Sequence, residues 1–143
     1  MESSCDDTSA AVLINGKIHS NITAGQEVHK IFGGVVPELA SRAHQSNILP
    51  VVDTALKTAG IDVKNVSAIA FTRGPGLPGS LIVGTGFSKS LALALNIPLI
   101  EVHHMQAHIL AHFIEKKGNK TKTGISIFVS HCFGGAHTNR ARA

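Results

Sequence analysis

The chain has 143 residues, 43% of them hydrophobic, with 14 glycines and a formal net charge of +4. That is enough apolar material for one packed domain. The polar opening, Glu2 followed by Asp6-Asp7, argues against a signal peptide, and no apolar run approaches the roughly 18 residues of a membrane span, so a cytoplasmic chain without a membrane partner is expected. Trp and Tyr are absent, so Val, Ile, Leu and Ala must build the core, which suits an α/β unit. The two cysteines, Cys5 and Cys132, lie far apart and imply no disulfide framework and a reducing compartment.

In chain order, Ser9 to Ile14 reads as a strand, Asn15-Gly16 as a tight turn, and Lys17 to Thr23 as the returning strand. Gly33-Gly34 interrupts the chain, and Pro37 then suits the first turn of a helix from about Glu38 to Gly60. Pro50 lies inside that helix and predicts a kink or break near Asn47. Val66 to Thr72 reads as a buried strand, Arg73 to Gly79 as a glycine-rich loop, and Ser80 to Leu95 as a second helix. Gly84 and Gly86 each cost that helix roughly 1 kcal/mol relative to Ala, so a close neighbour is expected there. Asn96-Ile97-Pro98 ends the helix, Ile97 to Val102 forms another strand, and a histidine-bearing helix follows to about Ile114. Glu115 to Gly124 is polar, its lysines (116, 117, 120 and 122) reading as a solvated loop, and Ile125 to Ser130 is a last short strand. A hairpin followed by strand–helix–strand units places ligands beyond the carboxyl ends of the strands.

Three segments carry residues suited to chemistry. His104 and His108 stand four apart, one above the other on a helix, where their imidazoles can share a divalent ion; His112 extends the stripe, and His103 falls out of register. Position 105 is Met, so the zinc-protease pattern with its general base is absent. Such a stripe also occurs as an ordinary helix face. Asp6, Asp7 and Thr8 set carboxylates beside a hydroxyl, which suits Mg²⁺-phosphate handling, while on the residues alone an N-cap or exposed polar terminus is the plainer reading. The loop through Gly74 and Gly76 can bring backbone amides to an anion or can be a rigid turn; it matches neither the Walker nor the dinucleotide pattern. Cys5 has no base paired with it in sequence, and His29 and His44 read as structural or surface groups.

Glu2-Ser3-Ser4-Cys5-Asp6-Asp7-Thr8, Gly33 to His44, Arg73-Gly74-Pro75-Gly76 with Gly79-Ser80-Leu81, and His104-Met105-Gln106-Ala107-His108 together resemble the TsaD family, formerly called glycoprotease or O-sialoglycoprotein endopeptidase. The resemblance covers about residues 1–130. It implies the N-terminal lobe of an actin-like ATPase (ASKHA) fold, a mixed sheet with flanking helices. It further implies transfer of a threonylcarbamoyl group from threonylcarbamoyl-AMP to N6 of adenosine 37 in tRNA, with TsaB-like and TsaE-like partners. Its paired histidines, here His104 and His108, hold Fe²⁺ or Zn²⁺, and Asp6-Asp7-Thr8 match its phosphate-side loop.

Two departures qualify the match. The family carries a few hydrophobic residues before Glu-Ser-Ser-Cys, whereas this chain opens at Met1-Glu2, so part of the innermost strand is expected to be missing. The family's Val-Ser-Gly-Gly-His-Thr is replaced by Val129-Ser130-His131-Cys132-Phe133-Gly134-Gly135-Ala136-His137-Thr138, leaving Ser130, Gly134 and Gly135 as donor-side candidates. Residues 131–143 read as a divergent tail and the C-terminal lobe as absent. The expectation is a transferase fragment, inactive alone, the alternative a module that pairs with a TsaB-like partner through the helices 38–60 and 80–95. A metalloprotease is the remote reading.

Overall fold

The computed structural model describes residues 1–111. His112, the lysines of 116–122, the strand expected over 125–130, Ser130, Cys132, Gly134, Gly135 and the tail 131–143 lie outside the described residues.

Strand β1 (Thr8–Ile14) turns at Asn15-Gly16 into antiparallel β2 (Lys17–Ala24). Both turn residues have positive φ, 52° and 75°, the geometry that matches the twist of a two-residue hairpin. After a 3₁₀ turn at Glu27–Phe32, helix α1 runs from Pro37 to Ala59 and ends on Gly60 at φ 70°. A second 3₁₀ turn (Val63–Asn65) precedes β3 (Ile69–Gly74), α2 (Pro78–Leu95), β4 (Leu99–His103) and α3 (His104–Leu110). β3 and β4 pair in parallel with α2 as the crossover. Gly74 lies opposite His103 at the end of that ladder, so the chain leaves both strands at one edge.

Among the described residues the strands form two ladders, β1–β2 and β3–β4. Met1 and Glu2 bridge them. Glu2 pairs antiparallel with Ser9 on one side, while Met1 N donates to Ala70 O at 2.7 Å and Met1 O accepts from Thr72 N at 3.1 Å on the other.

α1 covers the hairpin. Ala40, His44, Ile48, Val51 and Ala55 are its buried residues, and Val51 and Ala55 meet Ala10, with Val12, Ile22, Ala24 and Met1 closing around them. Of the kink or break expected near Asn47, the break does not occur: α1 runs continuously through Pro50. Pro50 removes the bond to the Ser46 carbonyl, but both residues are exposed, so water replaces the lost donor, while Ile48 and Val51 anchor the helix on either side. The glycine-rich loop is also shorter than expected. Arg73 and Gly74 still belong to β3, and α2 starts at Pro78 rather than Ser80 because proline fits the first helical turn.

α2 buries a stripe of small residues, Ser80, Gly84, Ser88 and Ala92. The opening residues lie against it: Ser3 Oγ donates to Ser80 O at 3.1 Å, and Ser88 Oγ to Met1 Sδ at 3.6 Å. A Cβ at Gly84 would overlap the Ser3 side chain, whereas one at Gly86 would meet nothing within 4 Å. Among the described residues, the close approach inferred from the two glycines is therefore found at Gly84 and not at Gly86. Gly84→Ala is expected to destabilise the chain by about 1–3 kcal/mol through overpacking. Gly86→Ala should stabilise it by up to about 1 kcal/mol through helix propensity. Urea unfolding midpoints of the two variants check the opposite signs.

Candidate functional site

The segment between Met1 and β1 is polar yet partly buried: Ser3, Ser4 and Thr8 are 4%, 3% and 1% exposed. Such a segment holds only if its backbone groups find donors. Leu77 N, from the glycine-rich loop, donates to Ser4 O at 2.7 Å. Ser80 Oγ, from α2, donates to Cys5 O at 3.1 Å, and His44, from α1, meets the same carbonyl through Nε2 at 3.0 Å. A carbonyl only accepts, so the His44 hydrogen sits on Nε2, and Nδ1 accepts from Thr8 Oγ1 at 2.7 Å. Gly76 is needed here because a Cβ would meet Ser4 O at 2.5 Å. Three of the four sequence motifs thus meet at one loop.

The fourth motif closes the site. His104 opens α3 and points Nδ1 at Ser4 Oγ (3.1 Å) and at Glu2 Oε2 (3.3 Å). Glu2 is itself held by Thr72 Oγ1 on Oε2 and by Ser4 N on Oε1, both at 2.5 Å. Burial would raise the Glu2 carboxyl, but the hydrogen bonds from Ser4 and Thr72 and the nearby His104 outweigh it and leave the group below the usual carboxylate range. The carboxylate therefore stays ionised at neutral pH. On its other side, His104 Nε2 lies 3.0 Å from His108 Nε2, with the rings edge to face at 85° and centroids 4.5 Å apart.

The pair fits a divalent ion as half a site. Two imidazole nitrogens converge at the separation that joint ligation with bonds of about 2.0–2.1 Å allows, and the opposite nitrogen of His104 is anchored. Among the described residues no group of three or more His, Cys, Asp and Glu assembles to complete the coordination. His103 ends β4, is exposed, and does not join the pair.

The donor-side candidates divide. Asp6 is half-buried and Asp7 exposed at the rim of the loop, but the Thr8 hydroxyl is engaged by His44 and faces the interior. Gly74 (φ 148°) and Gly76 flank the cis Gly74-Pro75 bond, and the observed neighbour of Gly76 is the chain's own Ser4. His29 is structural: Nδ1 accepts from Val36 N at 3.3 Å, and Nε2 donates to Gln26 Oε1 at 2.6 Å. Glu2, Ser4 and His44 were not separated from their motifs by sequence reasoning. Only the segment's mixture of serines with an acidic residue next to a buried strand hinted at a satisfied polar core. An open hollow lined by Lys89, Leu93, Pro98 and Leu99 lies at the opposite end of β4 and carries none of this chemistry.

Residues 17–132 match the family described as TsaD, tRNA N6-adenosine threonylcarbamoyltransferase. The chain belongs to the TsaD family. Curated relatives of that description include a protein of Christiangramia forsetii, 66% identical over 138 residues, and one of Moorella thermoacetica, 51% identical over 141. These alignments take in 96% and 97% of this chain but 40% of each relative, so the chain spans well under half their length. Among solved structures, YeaZ from Pseudomonas aeruginosa is similar with a TM-score of 0.60 and 28% identity, over 78% of this chain and 44% of that one. The mixed α/β arrangement is accordingly that of an ASKHA N-terminal lobe.

Cys5 sits beside these groups without being activated. Its thiol is pushed up to about 11 by burial, then by the hydrogen bond and negative charge of Asp6. A raised thiol stays protonated through neutral pH and loses its proton only as pH climbs toward that value. In a Cys132→Ser background, iodoacetamide should alkylate folded Cys5 with a rate that rises toward pH 11. At pH 8 the folded chain should hold on the order of a hundredfold less thiolate than the urea-unfolded chain. Rapid alkylation of the folded chain at pH 7 would contradict this.

Proposed function

We propose that this chain forms the metal-binding, donor-facing half of a tRNA threonylcarbamoyl transferase, inactive alone. The N-terminal lobe spans residues 1–130, with 131–143 as a divergent tail. The observation that carries the reading is the convergence of His104 and His108 through their Nε2 atoms at the carboxyl edge of the β3–β4 ladder. That edge is where ligands gather in α/β folds. Family membership supports the reaction class: the threonylcarbamoyl group of threonylcarbamoyl-AMP passes to N6 of adenosine 37, and AMP leaves through its phosphate.

His104 and His108 would hold Fe²⁺ or Zn²⁺, which supplies Lewis-acid polarisation of the donor carbonyl. Asp6, half-buried, and Asp7, exposed, would supply carboxylates for a Mg²⁺-phosphate group. Gly76 keeps the glycine-rich loop close to the backbone of Ser4, and Gly74, at φ 148°, supplies the backbone turn before it. Ser130, Gly134 and Gly135 belong to the same donor side by their place in the family motif. The absence, among the described residues, of a helix long and apolar enough to cross a membrane accords with cytoplasmic work on tRNA. A protease reading gains nothing, since Met105 stands where a general base would be needed.

Metal titration tests the site. Cobalt(II) or zinc should bind the wild-type chain weakly, and His104→Ala and His108→Ala should each lower affinity at least tenfold; unchanged affinity in both removes the metal assignment. In a transfer assay with the partner proteins, donor adenylate and unmodified tRNA, the chain alone should give no product. Robust modification would contradict the half-site reading.

A second reading, as an interaction module, is favoured by the outer face of α2. Ile82 and Leu93 are 71% and 84% exposed, and with Gly86 and Lys89 they form one stripe at helical spacing. Gly86 leaves an open notch there that lets a partner helix approach closely. A TsaB-like partner fits this face, in keeping with the likeness to YeaZ; a TsaE-like protein completes the assembly. Ile82→Glu and Leu93→Glu should abolish co-elution with a TsaB-like protein at micromolar concentration, and co-elution unaffected by either change would move the interface elsewhere.

A further inference from the structure

Glu2 is separated from His104 by almost the whole described chain, yet the two side chains meet, and neither the β ladders nor the core requires that contact. We propose that Glu2 is a positioning residue that fixes the tautomer of His104, with Ser4 as its accessory. The argument is one of donor and acceptor counting. Glu2 Oε1 accepts from Ser4 N, and Oε2 accepts from Thr72 Oγ1. The ionised carboxylate has acceptors only, so the His104 nitrogen that faces Oε2 at 3.3 Å must carry the hydrogen. Ser4 Oγ, 3.1 Å from the same nitrogen, accommodates it because a hydroxyl can accept as well as donate. The hydrogen is thereby held on Nδ1, and the Nε2 lone pair is left facing His108 Nε2 at 3.0 Å.

Without an ion, that lone pair accepts the Nε2 hydrogen of His108; with one, it is the ligating atom. A carboxylate behind a ligating imidazole orients the ring and raises its basicity, and losing such a partner typically costs 10–100-fold in metal affinity. The last step rests on the metal assignment of the His104–His108 pair; the tautomer itself does not.

Glu2→Gln separates these statements. A glutamine must keep its oxygen on Ser4 N, a backbone donor, which turns its NH₂ toward His104. The Nδ1 position then faces a donor, and the favoured tautomer becomes Nε2–H. Long-range ¹H–¹⁵N correlation spectra of the metal-free 143-residue chain at pH 8 read this directly, with His104 assigned by its loss in His104→Ala. Wild type should show His104 protonated at Nδ1, and Glu2→Gln should shift it to Nε2–H and lower cobalt(II) affinity at least tenfold. A wild-type ring protonated at Nε2, or a tautomer unchanged by Glu2→Gln, overturns the proposal, and the wild-type spectrum decides this even if the variant folds poorly. A wild-type chain that shows the Nδ1–H tautomer but binds no cobalt supports the positioning role and rejects the metal assignment.

Discussion

A buried backbone carbonyl without a donor costs about 1–3 kcal/mol, and the structure is organised around meeting that demand at Ser4 and Cys5. The turn from Ser3 to Asp7, between the bridge at Glu2 and the start of β1 at Thr8, has no ladder partner of its own. Its carbonyls are met by Leu77 N, His44 and Ser80, one from the glycine-rich loop and one from each long helix. This fixes where α1 and α2 cross the opening segment. It also explains a fully buried histidine on α1, small residues along α2, and a glycine at 76. The last side of the turn is met by His104, so the ring of the metal candidate is positioned by the same interactions that hold the lobe together.

Local chemistry made much of the fold legible. Asn15-Gly16 specifies its hairpin because both residues tolerate positive φ, and Pro37 and Gly60 mark the ends of α1 by what each can and cannot do at a helix terminus. The strand–helix–strand unit followed from apolar runs broken by Gly and Asn-Ile-Pro. Pro50 left open whether the helix would break, because whether a helix survives a proline depends on whether the orphaned carbonyl faces water and whether packing holds both halves. Neither is visible in spacing. The boundary at Pro78 moved for the related reason that proline starts helices as readily as it stops them.

The site was legible in part. The His104–His108 spacing gave the pair, and the structure brings their nitrogens together. Nothing in a linear pattern indicated that Glu2 lies behind His104, since the contact spans 102 positions and depends on how β3 and β4 align. His44 read as an isolated histidine because its partners, Thr8 and the Cys5 carbonyl, lie on a different element. Thr8 shows the converse. Its place in an acidic, hydroxyl-rich motif suggested a ligand group, whereas its hydroxyl is engaged in the interior. Membership of the TsaD family gives these residues a chemical setting, and the chain's own geometry separates those at the surface, such as Asp7, from those engaged in the interior, such as Thr8 and His44.

The central claim, that the opening turn is a single cooperative keystone joining the helices, is tested most directly by a double-mutant cycle. Thr8→Val removes the hydroxyl that orients His44, and Ser80→Ala removes the second donor to Cys5 O; the two side chains meet at that carbonyl, one through His44 and one directly. Urea unfolding of wild type, both single variants and the double variant gives the coupling. The account predicts that the two effects are non-additive by more than about 0.5 kcal/mol. Additivity within about 0.3 kcal/mol would mean that the turn is held by independent contacts, and would contradict it.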